Sequence, residues 1–216
     1  MRVRPLVIGH RGFAARFPEN TTAAVRAAVA AGADGVETDV RLSRDGIWVC
    51  HHNLRSDRFP VSTQRWRELR GRGVSSLEEV LTVLPPDRWL FLEVKPMAGP
   101  ELARGTSELV RLVGGRSVHT LLLSSSTVVL RQTSVILPQV RRSWVLREVP
   151  PAVPQREWAL SPHHRIVEQL LPLGRPLHPW TVNRRGRITT LATLGVASIT
   201  SDNPERTLEI LRGSPA

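Results

Sequence analysis

Apolar strand-like runs alternate with helix-like runs along almost the whole of this 216-residue chain, and that alternation is the tightest constraint on its fold. Parallel neighbours need a connection long enough to carry the chain back to the same end of the sheet, so strand-helix-strand repetition implies a parallel sheet with crossover helices. The strand runs are LVIGHR, GVETDVRL, WLFLEVK, HTLLLS, RSWVL, WALS, LHPWTV and ASITS, beginning at Leu6, Gly35, Trp89, His119, Arg142, Trp158, Leu177 and Ala197. Helices are expected after Asn20, over LEEVLTVL after Ser75 or Ser76, and near 101–113, 127–133, 165–171, 188–194 and 204–211. Eight strands interleaved with helices read as an α/β fold, a TIM (β/α)8 barrel, in a single domain over residues 1–216. The chain is compact beside the roughly 250 residues typical of that architecture.

Local signals support these boundaries. Asn20 is placed to cap TTAAVRAAVAAG, which Gly32 closes, and Glu78 or Glu79 falls at capping-box spacing before Pro85-Pro86 ends the next helix. EVPPAVPQREW, with three prolines, reads as a surface connection. WVCHH does not fit the alternation. It follows strand two after only Arg44-Asp45-Gly46-Ile47, too short for a parallel crossover and suited to a hairpin. A two-residue Asp45-Gly46 loop would set Arg44 against Ile47 and Asp39 against His52. The barrel should therefore carry a small β-hairpin excursion at its C-terminal face after strand two.

Composition narrows the function classes. No apolar run approaches the roughly 18 residues of a membrane span, and MRVRPLVIGH leads into the polar strand ends without room for a signal peptide, so a cytoplasmic location is expected. Cys50, alone, excludes an internal disulfide, and its place in WVCHH implies a buried packing role. The net charge of +11 is spread along the chain instead of gathered into a stripe, which argues against specific nucleic-acid binding but allows transient contact with an anionic membrane surface. Of 30 lysines and arginines only Lys95 is a lysine. Near two acidic strand ends it suggests a need for a compact point charge.

The chemistry lies where the strands end. Strand one stops at His10-Arg11, strand two presents Glu37 and Asp39, WVCHH ends at His52, and strand three presents Glu93 and Lys95. Alternation along a strand puts Glu37 with Asp39, and Glu93 with Lys95, on common faces. The three carboxylates are hard oxygen donors suited to one divalent cation, Mg2+ or Ca2+. His10 and His52 suit proton transfer near neutral pH, and Arg11 and Lys95 would neutralise phosphoryl oxygens. All fall at the carboxyl ends of the strands, where barrel active sites form. His51 is set on the opposite face from His52. Together these residues point to a metal-dependent phosphodiesterase.

HRGFAARFPENTTAAVRAA, GADGVETDVRLSRDG, VCHHN, FLEVK, WTVN and ITSDNPE resemble, in order from residue 6 to residue 205, the motifs of the glycerophosphodiester phosphodiesterase family, within the phosphatidylinositol-phospholipase-C-like phosphodiesterases. The resemblance implies hydrolysis of a small glycerophosphodiester to glycerol 3-phosphate and an alcohol, through a cyclic phosphate. It implies His10 and His52 as acid/base histidines, Glu37, Asp39 and Glu93 as metal ligands, and Arg11 and Lys95 as phosphate-binding cations. Trp180 matches a pocket-wall tryptophan, while Glu19, Asn20 and Asn53 match supporting positions. Three departures stand out. Asn53 replaces a common Asp, Ser124-Ser125 replaces a common Ser-Phe, and the segment from Arg58 to Ser75 is short where many relatives carry a cap. An open mouth follows, with Ser161, His163 and His164 as further groups in reach. Two alternatives follow as well: a lysophospholipase-D-like or other lipid phosphodiesterase, and a degenerate barrel that binds phosphate compounds without turnover.

Overall fold

The structure, a computed structural model, describes residues 4–153 and 157–213. Residues 1–3 and 214–216 of the expected domain, and Pro154, Gln155 and Arg156 of the proline-rich connection, lie outside the described residues. Parallel strands Leu6–Gly9, Gly35–Leu42, Trp89–Val94, Thr120–Ser124, Arg141–Leu146 and Ala159–Pro162 pair in chain order, and Ser198–Ser201 returns to the outer edge of the first. Helices Thr22–Ala30, Leu77–Val83, Gly99–Val113, Thr127–Ile136, Arg185–Thr193 and Pro204–Gly213 fill most crossovers. The connection after Pro162 is broken into short turns, His164–Ile166, Val167–Leu170 and Leu171–Leu173.

The seventh expected strand, over 177–182, forms only isolated pairings, Leu177 with Leu160 and Trp180 with His163. Pro176 and Pro179 remove main-chain donors, so a continuous ladder is not available there. The remaining groups still close the circle. On one side His178 N–H donates to the Leu160 carbonyl at 2.8 Å and Trp180 N–H to the Pro162 carbonyl at 3.1 Å. On the other, Ala197 and Thr200 donate to the carbonyls of Leu177 and Pro179. Inside the barrel Ile8, Phe91, Leu121 and Leu123 form the packed layer, and most of the remaining apolar side chains lie between strands and helices.

Two local expectations are corrected. Asn20 does not cap the first helix; Thr21 does, its hydroxyl accepting from Ala24 N–H at 3.2 Å. Asn20 instead sits buried at φ 59° with its amide turned toward strand two. In the hairpin, Val40 pairs with Cys50 and Leu42 with Trp48, so Asp39 faces His51 and not His52. The turn holds three residues, closed by Ser43 N–H to Ile47 O at 2.9 Å, because Gly46 takes φ +84° where a side chain would be strained. Other expectations hold: Ser76 and Glu79 form the capping box of Leu77–Val83. Cys50 is buried, and burial pushes its thiol up to about 12, consistent with packing.

Candidate active site

Strand register assembles the carboxylates. Glu37 and Asp39 alternate onto one face, and Asp39 pairs with Glu93 on the neighbouring strand. Ligand oxygens of the three lie within 4.8 Å of one another. Asp39 is fully engaged: Oδ1 accepts Lys95 Nζ at 2.6 Å, while Oδ2 accepts Asn20 Nδ2 at 3.0 Å and lies 3.1 Å from Arg11 Nε. Burial opposes the Asp39 charge, but Lys95, Arg11 and Asn20 outweigh it and hold the carboxyl below its usual range. Lys95 Nζ also donates to Glu93 Oε1 at 2.8 Å.

Glu37 is unlike its neighbours. Its Oε2 accepts Arg11 N–H at 3.0 Å, but Oε1 is buried with no hydrogen-bond partner. Burial, and then the adjacent Asp39 charge, push its carboxyl up to about 8. A buried oxygen without a donor, facing two further carboxylates, is a donor set lacking its counter-charge. These residues fit a hard divalent cation.

The two histidines sit in opposed surroundings. His10 Nδ1 pairs with Asp202 Oδ1 at 2.6 Å, leaving Nε2 at 3.9 Å from Glu37 Oε2. Burial disfavours its imidazolium, but the Asp202 hydrogen bond and the Glu37 charge more than compensate and raise its pKa. Asp202 is itself held, its Oδ2 accepting Asn183 Nδ2 at 2.6 Å and its N–H donating to Asn183 Oδ1 at 3.0 Å. His52 has no such carboxylate: Nδ1 meets the neutral Asn53 at 3.1 Å, and burial followed by the Lys95 charge lowers its pKa. His52 lines the cavity, whereas His51 turns its Nε2 to the Arg55 carbonyl at 3.0 Å.

The cavity has a volume of about 630 Å³ and opens at the carboxyl ends of the strands. His10, Arg11, Glu37, His52, Glu93 and Lys95 line it, with Asn53 and Trp180 on its walls. Arg11 is pinned by Glu19 Oε2 at 2.6 Å, and Trp180 by its indole N–H on the Ser161 carbonyl at 2.7 Å. Ser125 also lines the wall. Ser161, His163 and His164 do not: the Ser161 hydroxyl is buried against Ser143 at 2.7 Å, and His163 stands edge-on to Trp180 with ring centres 5.6 Å apart.

Sequence reasoning missed four participants. Asp202 and Asn183 stand in ITSDNPE and WTVN, but nothing local says that the last and first strands are neighbours. Arg41 and Arg147 also line the cavity, the first donating to the His52 carbonyl at 3.0 Å and 3.3 Å. Arg41 follows Asp39 by two along the strand, the one signal that placed it on the same face.

Comparisons with known proteins agree with this geometry. Residues 10–98 match the model of the glycerophosphoryl diester phosphodiesterase family. A Mycobacterium tuberculosis protein named "Probable glycerophosphodiester phosphodiesterase 1" is 30% identical over 94% of this chain and 91% of its own. A glycerophosphodiester phosphodiesterase of Caldanaerobacter subterraneus is 26% identical over 97% of this chain and 99% of its own. Among solved structures, an Oleispira antarctica phosphodiesterase in complex with sn-glycerol-3-phosphate superposes with a TM-score of 0.84, at 24% identity over 97% of this chain and 98% of its own, which shows the shared barrel fold. With near full-length similarity to the mycobacterial protein, and the family's motifs gathered around one cavity, the chain belongs to the glycerophosphoryl diester phosphodiesterase family.

Proposed function

We propose that this chain is a phosphoric diester hydrolase that cleaves glycerophosphodiesters to glycerol 3-phosphate and an alcohol. The observation that carries the proposal is the unpartnered buried oxygen of Glu37 beside two more carboxylates, with a histidine on either side of the same cavity. Glu37, Asp39 and Glu93 hold one divalent cation, Mg2+ or Ca2+, which when bound supplies Lewis-acid polarisation of a phosphoryl oxygen. Arg11 and Lys95 bind the phosphate, and Trp180 walls the glycerol or headgroup side. Glu19 and Asn20 fix Arg11 and Asp39, and Asn53 orients His52.

His10 takes the proton of the glycerol 2-hydroxyl as that oxygen bonds to phosphorus and the bond from phosphorus to the leaving alcohol breaks. Asp202 stabilises the imidazolium so formed, as a carboxylate hydrogen-bonded behind a catalytic histidine does. His52, whose surroundings disfavour its positive charge, gives its proton to the departing alcohol oxygen. Water then opens the cyclic phosphate with the roles exchanged, His52 accepting the water proton and His10 returning one to the 2-oxygen.

The working environment is the cytoplasm, in keeping with a single buried cysteine. Leu54 and Phe59 are exposed at the rim beside Arg55 and Arg58, a surface suited to brief contact with anionic membranes. The alternatives raised by the sequence, a lipid phosphodiesterase and a barrel without turnover, are not favoured by the relatives it resembles. The test is release of glycerol 3-phosphate from a panel of glycerophosphodiesters after chelation and with Mg2+ or Ca2+ restored. Release that vanishes with chelator and returns with metal is expected; no release with either metal overturns the proposal.

A further inference from the structure

Two cavity cations have no part in the chemistry described above. Arg41 uses Nε and Nη2 on the His52 carbonyl and turns into the cavity from the same strand face as Asp39. Arg147, just beyond strand Arg141–Leu146, is exposed at the opposite wall and makes no ion pair among the described residues. Its guanidinium lies 5.1 Å from the centre of the Trp180 ring. With Arg11 and Lys95, the cavity lining holds four permanent cations against two carboxylates, Glu37 and Glu93. Arg11 and Lys95 are already paired with Glu19, Asp39 and Glu93, and Arg41 has Asp39, Glu93 and Glu101 as nearby counter-charges, so of the cations bordering the cavity Arg147 is the exposed one without an ion pair among the described residues.

We propose, resting on the glycerophosphodiester reading, that Arg41 and Arg147 select substrates whose leaving alcohol itself carries an anionic phosphate or phosphodiester. Arginine presents a planar fork that matches phosphate oxygens in pairs. A quaternary ammonium headgroup would need an aromatic face to sit on, and the Trp180 face is already occupied by Arg147. Such a headgroup would also approach two guanidinium groups of its own sign. Ser125, small and cavity-lining, leaves the same wall open to a bulky anion.

The test compares three substrates that share the glycerophospho half: bis(glycerophospho)glycerol, whose leaving alcohol is anionic, glycerophosphoglycerol, whose leaving alcohol is neutral, and glycerophosphocholine. With metal present, kcat/KM is expected to fall in that order, by about tenfold from anionic to neutral, the scale of one hydrogen bond to a charged group. Arg147→Gln keeps a polar side chain at the wall and removes the charge over Trp180, so the anionic-to-neutral ratio should collapse toward one. Should that variant fail to fold, raising the salt from 50 to 500 mM with the unaltered protein is the second reading, because screening should compress the same ratio. Equal kcat/KM across the three substrates overturns the selectivity alone, and turnover of none overturns the hydrolase reading with it.

Discussion

The barrel has two mouths of similar size and opposite character. The cavity at the carboxyl ends, about 630 Å³, is bordered by histidines, carboxylates and guanidinium groups; the one at the amino ends, about 520 Å³, is bordered by Leu6, Trp89, Phe91 and Leu121, with Arg141 lying over Trp89 at 5.6 Å. His178 borders both, its ring edge-on to Phe91 with centres 5.2 Å apart. The difference teaches where such a fold can tolerate cost. Like-charged carboxylates and the non-glycine residues of positive φ, Arg11, Asn20 and Asp57, gather at one end, and the apolar layer in the middle of the barrel offsets them.

The sharpest way to break this division is one substitution on each side of it. Glu93→Ala should lower turnover by about 1,000-fold or more, abolish metal binding in calorimetry, and leave the melting temperature nearly unchanged. Phe91→Ala, in the barrel's packed layer, should cost about 3–5 kcal/mol of stability in urea titration while the folded fraction keeps its kcat. A Glu93→Ala protein that still turns over, or a Phe91→Ala protein that folds stably but is inactive, would dissolve the contrast.

His178, between the mouths, sharpens it. Burial pushes its pKa down to about 4. The unfolded chain therefore takes up this proton first as pH falls, so the stability it confers is complete above about 6.5 and lost toward about 4, at no more than about 1.4 kcal/mol per pH unit. His178→Asn should flatten that part of the stability–pH curve by one proton without moving the pH profile of turnover. Next in size, Asp202→Asn leaves the Asn183 cradle but removes the charge behind His10, and kcat should fall about 100-fold with KM little changed. The smallest effect is at His52: Asn53→Asp places a carboxylate at Nδ1, raises the pKa that its surroundings now lower, and should move the high-pH limb of kcat/KM upward by about one unit.

The strand ends were legible in the sequence because each is an apolar run that stops at charge, and period-two alternation carried Glu37 with Asp39 and Glu93 with Lys95. What failed was geometry that depends on one residue's backbone or on distant partners. Gly46 in the left-handed region lengthened the hairpin loop by one and shifted Asp39 opposite His51. Pro179 cost the seventh strand its ladder while leaving its place in the barrel. Asn20 looked like a cap because its side chain suits one; its partners on strand two become neighbours only after folding. Arg147 was hidden in an arginine-rich background where no local feature distinguishes a cavity-lining guanidinium from a solvated one, and for Arg41 only its spacing of two from Asp39 set it apart.

The loop after strand one carries a consequence in time. Arg11 at φ 51°, Gly12 at φ 85° and Asn20 at φ 59° are tied together by Asn20 N–H on the Arg11 carbonyl at 3.0 Å, Arg11 N–H on Glu37 and the Asn20 amide on Asp39. A Cβ on Gly12 would stand 2.5 Å from the Ala24 backbone, so this path admits no ordinary side chain there. This loop is already held in place before ligand arrives. Capture should therefore be hastened by the cationic mouth and slowed by salt, with no lag for this loop to find its shape.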